Sequence, residues 1–447
     1  MDRDADGEVI ELLQHLIRNA CVNDGTAGSG HENRSADALQ ALLEGPGLDL
    51  QTFEPVPGRT SLVARIEGQD RSAPTVLLMG HTDVVPANPD GWERDPFAAE
   101  LVDGEVWGRG AIDMLNLTAS MAVATRRLAR SDWRPKGSLV YLAVADEEAL
   151  GTHGAEWLTN HVPDAVAADY VITESGGIPM PSPAGTKLPI LVGEKGTYWC
   201  RVTVAGTPGH ASQPFRTDNA VVTAAEVVRR LASYQPGASI HETWRRFVEG
   251  MGFPPEIARR LLDDGAITDL CYELPLGLAR QAHACTHTTI APTIVQGGTK
   301  TNVIPDRVDL ELDIRTLPGQ SGDDIRSMIE DALGDLADRV TISGISDDPS
   351  TASPIETPLF DALQRVAGRL HPGAGLVPFF TVGATDARFF RRLGIPSYGF
   401  GLFSERLTFE QYATMFHGDN ERVDVDSLRL STELWQALAR DVLLNPS

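Results

Sequence analysis

Segments typical of buried strands alternate with segments typical of amphipathic helices along the first part of the chain, which limits the folds available to it. Residues 75–79, 138–144 and 170–173 are short apolar runs that suit buried strands. Residues 115–128 are rich in alanine and have the spacing of a helix. Strands separated by helices predict an α/β fold with a mixed, mostly parallel sheet flanked by helices.

This alternation is interrupted after residue 196 and resumes at about residue 346. Between these points, residues 198–204 alternate like a half-exposed strand and residues 220–231 have helical spacing, a mixture typical of a small α+β domain. We therefore predict a discontinuous larger domain, formed by residues 1–196 and 346–447, with a smaller domain inserted at residues 197–345.

Residues from about 234 to 287 fit the pattern of neither domain. They include Trp244, an amphipathic stretch at residues 257–262 and scattered prolines. We interpret them as an extra helical insertion within the smaller domain. The sequence leaves two roles open for this segment: it narrows or reshapes the mouth of a pocket, or it is a purely structural elaboration.

The balance of charge excludes several classes of partner. The chain has 38 Lys and Arg against 62 Asp and Glu, a formal net charge of −24. Such an acidic surface repels nucleic-acid phosphates and anionic lipid headgroups, so we expect neither nucleic acid nor membrane as a partner. No apolar run approaches the roughly 18 residues of a membrane span, and the acidic N-terminus lacks a signal-peptide pattern. The four cysteines form no CxxC pair, which predicts reduced thiols in a cytoplasmic protein.

Polar side chains follow the predicted strands at the points where these strands end. The strand at residues 75–79 leads into Gly80-His-Thr-Asp, and the strand at 138–144 leads into Asp146-Glu-Glu. Because catalytic residues of open α/β sheets gather at the carboxyl ends of strands, we expect these side chains to meet. The candidates are His81, Asp83, Asp113, Glu147, Glu148, Glu174 and His417.

A mixture of imidazole and carboxylate groups suits zinc and tolerates cobalt or manganese. One carboxylate can bridge two ions, each completed by one histidine and one further carboxylate. Two ions roughly 3.5–4 Å apart can share a water, lower its pKa and polarise a carbonyl. Each motif alone is common in solvated loops, so the prediction rests on their joint occurrence. A phosphate-binding role for residues 108–113 is disfavoured because the Lys-Ser/Thr of a P-loop is missing.

Nine stretches together resemble the aminoacylase/carboxypeptidase family of dinuclear zinc hydrolases, which includes acetylornithine deacetylase, succinyl-diaminopimelate desuccinylase and carboxypeptidase S. They follow the family order over nearly the whole chain. The stretches are GHTDVVP (80–86), GRGAIDM (108–114), DEEALGTHGA (146–155), TES (173–175), GTPGHAS (206–212), GGTKTNVIPD (297–306), DIR (313–315), ATDAR (384–388) and HGDNE (417–421).

The resemblance implies five ligands for two zinc ions, which cobalt or manganese could replace. Asp113 would bridge both ions. His81 and Glu174 would complete one site, and Glu148 and His417 would complete the other.

The resemblance also implies roles beside the metals. Glu147 would be the general base, since a glutamate bound to a metal has its lone pairs committed. Asp83 would accept a hydrogen bond from the far ring nitrogen of His81 and so fix its tautomer. The peptide bond after Asp113 is expected to be cis.

Four further residues are assigned to substrate by the same resemblance. His210 would hold the developing oxyanion, often in the site of a partner subunit, which implies a homodimer or a large domain closure. Asn302 would contact the substrate or the oxyanion region. Arg315 would bind a substrate carboxylate, a bidentate task that suits guanidinium. Thr385 would assist there. The smaller domain would act as a lid or dimerisation domain.

The predicted activity is hydrolysis of the amide bond of a small peptide or N-acyl amino acid next to a free carboxylate, by attack of a water shared between the metals and assisted by Glu147. One alternative is a deacylase of a biosynthetic N-acyl intermediate, of the acetylornithine or succinyl-diaminopimelate type, since it needs the same site. A distant alternative is a metal-binding relative without catalysis.

Overall fold

The computed structural model describes residues 3–444, with side chains from residue 7 onward. Within that range, none of the helices has the length and apolar character needed to cross a membrane. The α-helices of the described chain are α1 (Arg3–Asn19), α2 (Asn33–Leu43), α3 (Leu115–Arg130), α4 (Ala155–His161), α5 (Ala220–Ser233), α6 (Glu242–Met251), α7 (Pro255–Leu261), α8 (Ile267–Glu273), α9 (Leu276–Thr286), α10 (Gly322–Leu333), α11 (Pro358–Leu370), α12 (Ala387–Arg392), α13 (Phe409–Met415) and α14 (Val425–Leu444).

The strands of the same range form four sheets. They are β1 (Asp49–Phe53), β2 (Ser61–Ile66), β3 (Val76–His81), β4 (Leu101–Val102), β5 (Glu105–Trp107), β6 (Leu139–Val144), β7 (Tyr170–Thr173), β8 (Lys187–Glu194), β9 (Gly196–Ala205), β10 (Gly209–His210), β11 (Thr289–Gly297), β12 (Val303–Ile304), β13 (Arg307–Thr316), β14 (Val340–Asp348), β15 (Thr351–Ala352), β16 (Gly375–Thr381), β17 (Ser397–Gly399) and β18 (Arg422–Asp424).

The largest sheet has nine strands in the order β1-β2-β6-β3-β7-β17-β8-β15, with β16 beside β8. Its central strands β6, β3, β7 and β17 are parallel, whereas β1 and β2 at one edge are antiparallel. The predicted mixed, largely parallel α/β architecture is confirmed. Both faces are covered, which explains why β3 and β6 are continuous apolar runs rather than alternating ones.

Alternation along β3 sends side chains into two separate cores. Val76 and Leu78 join the core that α1, α3 and α14 cover. Leu77 and Met79 join a core on the opposite face, which includes residues of α4 and α12. Because the side-chain period of a strand is two, one apolar run can serve both faces and fix the strand in the middle of the molecule.

A second, antiparallel sheet has the order β11-β13-β9-β14. Leu310 and Leu312 of β13 and Val202 and Val204 of β9 face a core that α5 and α10 complete. The other face carries the intervening, half-exposed residues of these strands. This sheet comes almost entirely from residues 197–345, the segment that the sequence pattern assigns to the smaller domain, although β14 continues to Asp348.

The helices α6 to α9 differ in placement from the sequence interpretation, which put them within the smaller domain. Their apolar core, with Trp244 and Phe247, packs against Val377 and Phe380 of β16 in the large sheet. The apolar face of α6 needs a partner of matching character, and β16 supplies one. The insertion therefore belongs by packing to the large sheet.

Candidate dinuclear metal site

The carboxyl ends of β3, β6 and β7 bring the candidate residues to one edge of the large sheet. His81 is the last residue of β3 and lies opposite Val144, the last residue of β6. Glu147 and Glu148 lie in a short 3-10 turn that begins directly after Asp146. Parallel pairing thus places polar residues that are far apart in sequence beside one another, as expected for this class of sheet.

Among the residues that the structure describes, two groups of three side chains are close enough to bind a metal ion each. In the first, His81 Nε2 lies 3.3 Å from Asp113 Oδ1 and 3.7 Å from Glu174 Oε2. In the second, His417 Nε2 lies 2.9 Å from Asp113 Oδ2 and 3.4 Å from Glu148 Oε2. Asp113 belongs to both groups and presents a different oxygen to each. Its peptide bond to Met114 is cis, as the family resemblance predicted.

The donor chemistry of these groups fits divalent zinc. The Nδ1 of His81 lies 2.9 Å from the backbone oxygen of Asp83, so this nitrogen donates and leaves the Nε2 lone pair facing the carboxylates. The Asp83 carboxylate is 3.7 Å from the same nitrogen, so the predicted hydrogen bond is made by the backbone of Asp83 instead. Buried Glu148 Oε1 has no hydrogen-bond partner within the described chain, as expected of a ligand oxygen.

The electrostatics of the site also favour cations. Burial and the neighbouring Asp113 raise the pKa of Glu148 to about 7. Hydrogen bonds to Asp113 and Glu148 raise the pKa of His417 to about 10. Burial favours the neutral form of Asp113, but hydrogen bonds from His417 and His81 outweigh it and lower its pKa. Three carboxylates thus face two imidazoles, and this excess of negative charge favours metal binding.

The Asp83 carboxylate holds the turn that carries Glu147. It accepts hydrogen bonds from the backbone N–H groups of Glu147 at 3.2 Å and Glu148 at 3.1 Å. The Asn23 side-chain amide donates to it at 2.8 Å, and the Arg59 guanidinium donates to the Asn23 oxygen at 3.0 Å. The contacts of Asn23 are buried, and those of the Glu147 and Glu148 backbone are partly buried. Burial raises the pKa of Glu147 well above its ordinary value, and the negative charge of the nearby Glu174 adds a smaller contribution in the same direction.

Glu421 fixes the loop that carries Asp113. Its buried carboxylate accepts hydrogen bonds from the backbone N–H groups of Gly110 at 2.9 Å, Ile112 at 2.7 Å and Asp113 at 3.0 Å. The guanidinium of Arg109 donates to it at 2.9 Å. In the sequence, Glu421 is the last residue of the HGDNE stretch, and no role for it could be predicted there. Its contact with Gly110 spans 311 positions of the chain, which no local spacing reveals.

A cavity of about 650 Å³ opens onto the metal groups and onto Glu147. Arg315 and Thr385, two of the residues for which substrate binding is predicted, line it together with Arg388 and Tyr412, to which no role was given from the sequence. Arg315 is held by Asp313 at 2.8 Å and 3.1 Å. The Thr385 hydroxyl donates to buried Glu194 at 2.7 Å.

The structure places two predicted residues away from this cavity. His210 and Asn302 are exposed, and both lie within the described chain beside the two-stranded ribbon of β10 and β12. The backbone N–H of Ala211 donates to the backbone oxygen of Asn302 at 3.1 Å, which keeps the segments that carry His210 and Asn302 side by side. The His210 Nδ1 lies 2.7 Å from the Ser212 hydroxyl. Neither side chain is among those that line the cavity.

The fold and the paired His/Asp/Glu groups define a hydrolase of the metallopeptidase class. The chain belongs to peptidase family M20/M25/M40, whose model matches residues 77–441. It is 28% identical over 398 residues to the N-fatty-acyl-amino acid synthase/hydrolase PM20D1 of Xenopus tropicalis, covering 86% of this chain and 76% of that protein. It is 29% identical to the succinyl-diaminopimelate desuccinylase of Caulobacter sp. (strain K31), covering 96% and 94%.

The fold is shared with solved structures of the family. The M20 family metallo-carboxypeptidase Sso-CP2 of Sulfolobus solfataricus superposes with a TM-score of 0.71 over 99% of both chains, at 17% identity. At that identity, the likeness establishes the architecture alone.

Proposed function

We propose that this chain is a dinuclear zinc amidohydrolase that cleaves the amide bond of an N-acyl amino acid or small peptide next to a free carboxylate. The observation that carries the proposal is the sharing of Asp113 between two ligand groups, in the same cavity as Glu147 and Arg315. His81 and Glu174 would complete one metal site.

Glu148 and His417 would complete the other site. Divalent ions bound by these residues would supply Lewis-acid chemistry, lowering the pKa of a bound water and polarising the substrate carbonyl. Zinc fits a mixture of histidine and carboxylate ligands, and cobalt or manganese can occupy the same donors.

Glu147 would act as the general base. It belongs to neither ligand group, yet it faces His81 and Glu174 closely enough for their charges to affect its pKa. A carboxylate free of metal can take a proton from the attacking water and deliver it to the leaving nitrogen. Asp83 supports this step, because it holds the backbone of the Glu147 turn.

Arg315 would bind the carboxylate of the substrate. Its guanidinium lies at the cavity wall, and Asp313 and the Thr197 hydroxyl hold it in place. A substrate carboxylate can pair with this planar fork in bidentate fashion. We assign Thr385 to substrate binding as well, since it lines the same cavity.

His210 and Asn302 would serve an oxyanion, by domain closure or in the site of a partner subunit. Support for a homodimer comes from the edge strand β11, where Ile294 is 42% and Val295 62% exposed, and from Val222 of α5, which is 67% exposed. Apolar residues on an unpaired edge are a ready template for association. An active monomer in sedimentation would refute the cross-subunit role of His210.

The first experiment is release of free amino acid from dipeptides and N-acyl amino acids by the zinc-loaded protein, with a chelator control. The panel includes acetylornithine and succinyl-diaminopimelate, so it also tests the biosynthetic alternative. Glu147→Gln should lose most turnover and keep its zinc, whereas Glu100→Gln, at an exposed position, should keep both. Near-normal activity of the Glu147→Gln variant would exclude Glu147 as the general base. No release from any substrate by zinc-loaded protein would favour the non-catalytic alternative.

A further inference from the structure

We propose that the cavity selects a bulky apolar acyl group, aliphatic or aromatic, and that the inserted helices α6 to α9 position the wall that selects it. The inference rests on the proposed amide hydrolysis and adds the class of substrate to it. It also assigns a role to the segment at residues 234–287.

The cavity has two unlike walls. On the side of the small sheet, Trp199 of β9 and Arg315 of β13 line it. On the side of the large sheet, beyond the metal-binding end, large apolar side chains share the lining with the polar residues Gln281, Thr381, Thr385 and Arg388. The apolar side chains that form most of this wall include Ile178, Leu191, Phe379, Val382, Phe409 and Phe416.

Strand register directs part of the apolar wall toward the cavity. Leu191 of β8 lies opposite Phe379 of the parallel strand β16. Ile190 and Val192, the neighbours of Leu191, join the main core on the other face of the sheet. Because side chains alternate along a strand, Leu191 points away from that core and lines the cavity instead.

The insertion supports this wall from behind. Phe379, Val382 and Phe409 line the cavity and also pack against the apolar core of the inserted helices. The Phe247 ring of α6 meets the Phe379 ring edge-on, with centroids 5.7 Å apart. Gln281 of α9 reaches the cavity directly. The position of the wall therefore depends on the insertion.

The acyl half of the substrate would lie along the apolar wall. If Arg315 binds the carboxylate of the leaving amino acid, the acyl group extends from the metal end along the opposite side. A cavity of about 650 Å³ is far larger than an acetyl group needs, since sites of about 300–1,000 Å³ enclose whole drug-sized ligands.

A charged acyl group would find no free cation in the described lining. Besides Arg315, the lining contains Arg388, which donates to the backbone oxygens of Thr385 at 2.6 Å and Leu150 at 2.8 Å and pairs with Asp348 at 2.9 Å. Burying a second carboxylate without a partner is costly. The cavity thus disfavours succinyl groups and favours apolar ones.

The test is hydrolysis of one amino acid carrying acetyl, succinyl, octanoyl or phenylacetyl groups, by the full-length, zinc-loaded protein. We expect kcat/KM for the octanoyl or phenylacetyl substrate to exceed that for acetyl and succinyl by at least about tenfold, since a single methylene in an apolar pocket is worth about 10- to 200-fold. Equal values, or a preference for acetyl or succinyl, would overturn the inference.

Variants of the wall test the role of the insertion. Phe379→Ala should raise KM for the preferred substrate and lower its kcat/KM by about tenfold or more, with less than about threefold change for the acetyl substrate. Tyr272→Ala, at a position of α8 that is 79% exposed, is the control and should change neither. If Phe379→Ala does not fold, Val382→Ser replaces it. Equal losses on both substrates would refute a selective wall.

Binding separates the two proposals. The affinity of zinc-loaded Glu147→Gln for the octanoyl amino acid is measured by calorimetry, beside the acetyl compound. Tighter octanoyl binding without hydrolysis by the wild-type protein would support the apolar subsite and refute the proposed activity. Hydrolysis of both compounds with the same affinity and the same kcat/KM for octanoyl and acetyl would support the activity and refute the apolar subsite.

Discussion

Lys195 is a buried ammonium whose removal should make the stability of the protein less dependent on pH. Its side chain is 1% exposed. It donates to the His287 backbone oxygen at 2.7 Å and to the Thr289 hydroxyl at 3.4 Å, and no carboxylate within the described chain forms an ion pair with it. Burial lowers its pKa from 10.5 to about 7, and the nearby Arg315 adds to this shift.

The sign of the effect follows from proton binding. Above pH 10.5 the amine is neutral in both states and no charge is buried. As the pH falls from 10.5 to 7, the unfolded chain binds the proton first, so folding loses about 1.4 kcal/mol of stability per pH unit. Below pH 7 the folded protein also binds the proton on Lys195. The loss of folding stability therefore levels off at about 5 kcal/mol. Burial also lowers the pKa of His283 and His287, so both stay neutral over this range.

The variant Lys195→Met keeps the apolar stem and removes the charge. Its free energy of unfolding in urea, minus that of the wild type, should be larger at pH 7 than at pH 10 by about 3–4 kcal/mol. The lost hydrogen bond to His287 adds a penalty that does not depend on pH. Lys187→Met, at the half-buried start of β8, controls for the loss of one positive charge. A difference that stays constant within about 1 kcal/mol between pH 7 and pH 10 would refute the reasoning.

Three further predictions concern the site. Asn23→Leu removes the donor to Asp83 and should weaken zinc binding by about 10- to 100-fold in a chelator competition; unchanged affinity would show that Asp83 needs no such support. Glu421→Gln leaves a single acceptor oxygen for the loop of Asp113 and should cost about 2–3 kcal/mol in urea unfolding, whereas exposed Glu410→Gln should cost nothing measurable. Removing zinc with a chelator should lower the melting temperature, since ligands that bind only the folded state stabilise it; an unchanged melting temperature would argue against bound metal.

The sequence predicted the elements whose apolar pattern is uninterrupted. The strands β3, β6 and β7 and the helix α3 appear close to their predicted bounds. It missed β8 and β16, which carry Pro189 and Pro378 inside the strand. Proline lacks the backbone N–H and normally argues against a strand, so only the tertiary pairing of these two strands reveals them.

The candidate site was predictable to the extent that its chemistry lies at strand ends or in family motifs. The residues that support it were not. Asn23, Arg59 and Glu421 act through hydrogen bonds to segments between 36 and 311 positions away. A polar residue far from its partner in sequence carries no periodicity or spacing signal, so only the folded arrangement shows its role.

The inserted helices support the cavity wall, whereas the proposed metal ligands lie elsewhere in the chain. None of the five proposed metal ligands lies between α6 and α9, although those helices support the cavity wall. Helices of the insertion can therefore change in length or sequence while the proposed metal ligands stay on the strands and loops of the large sheet. Selectivity could then diversify among descendants through this one segment, and an engineer could exchange it without redesigning the metal-binding loops.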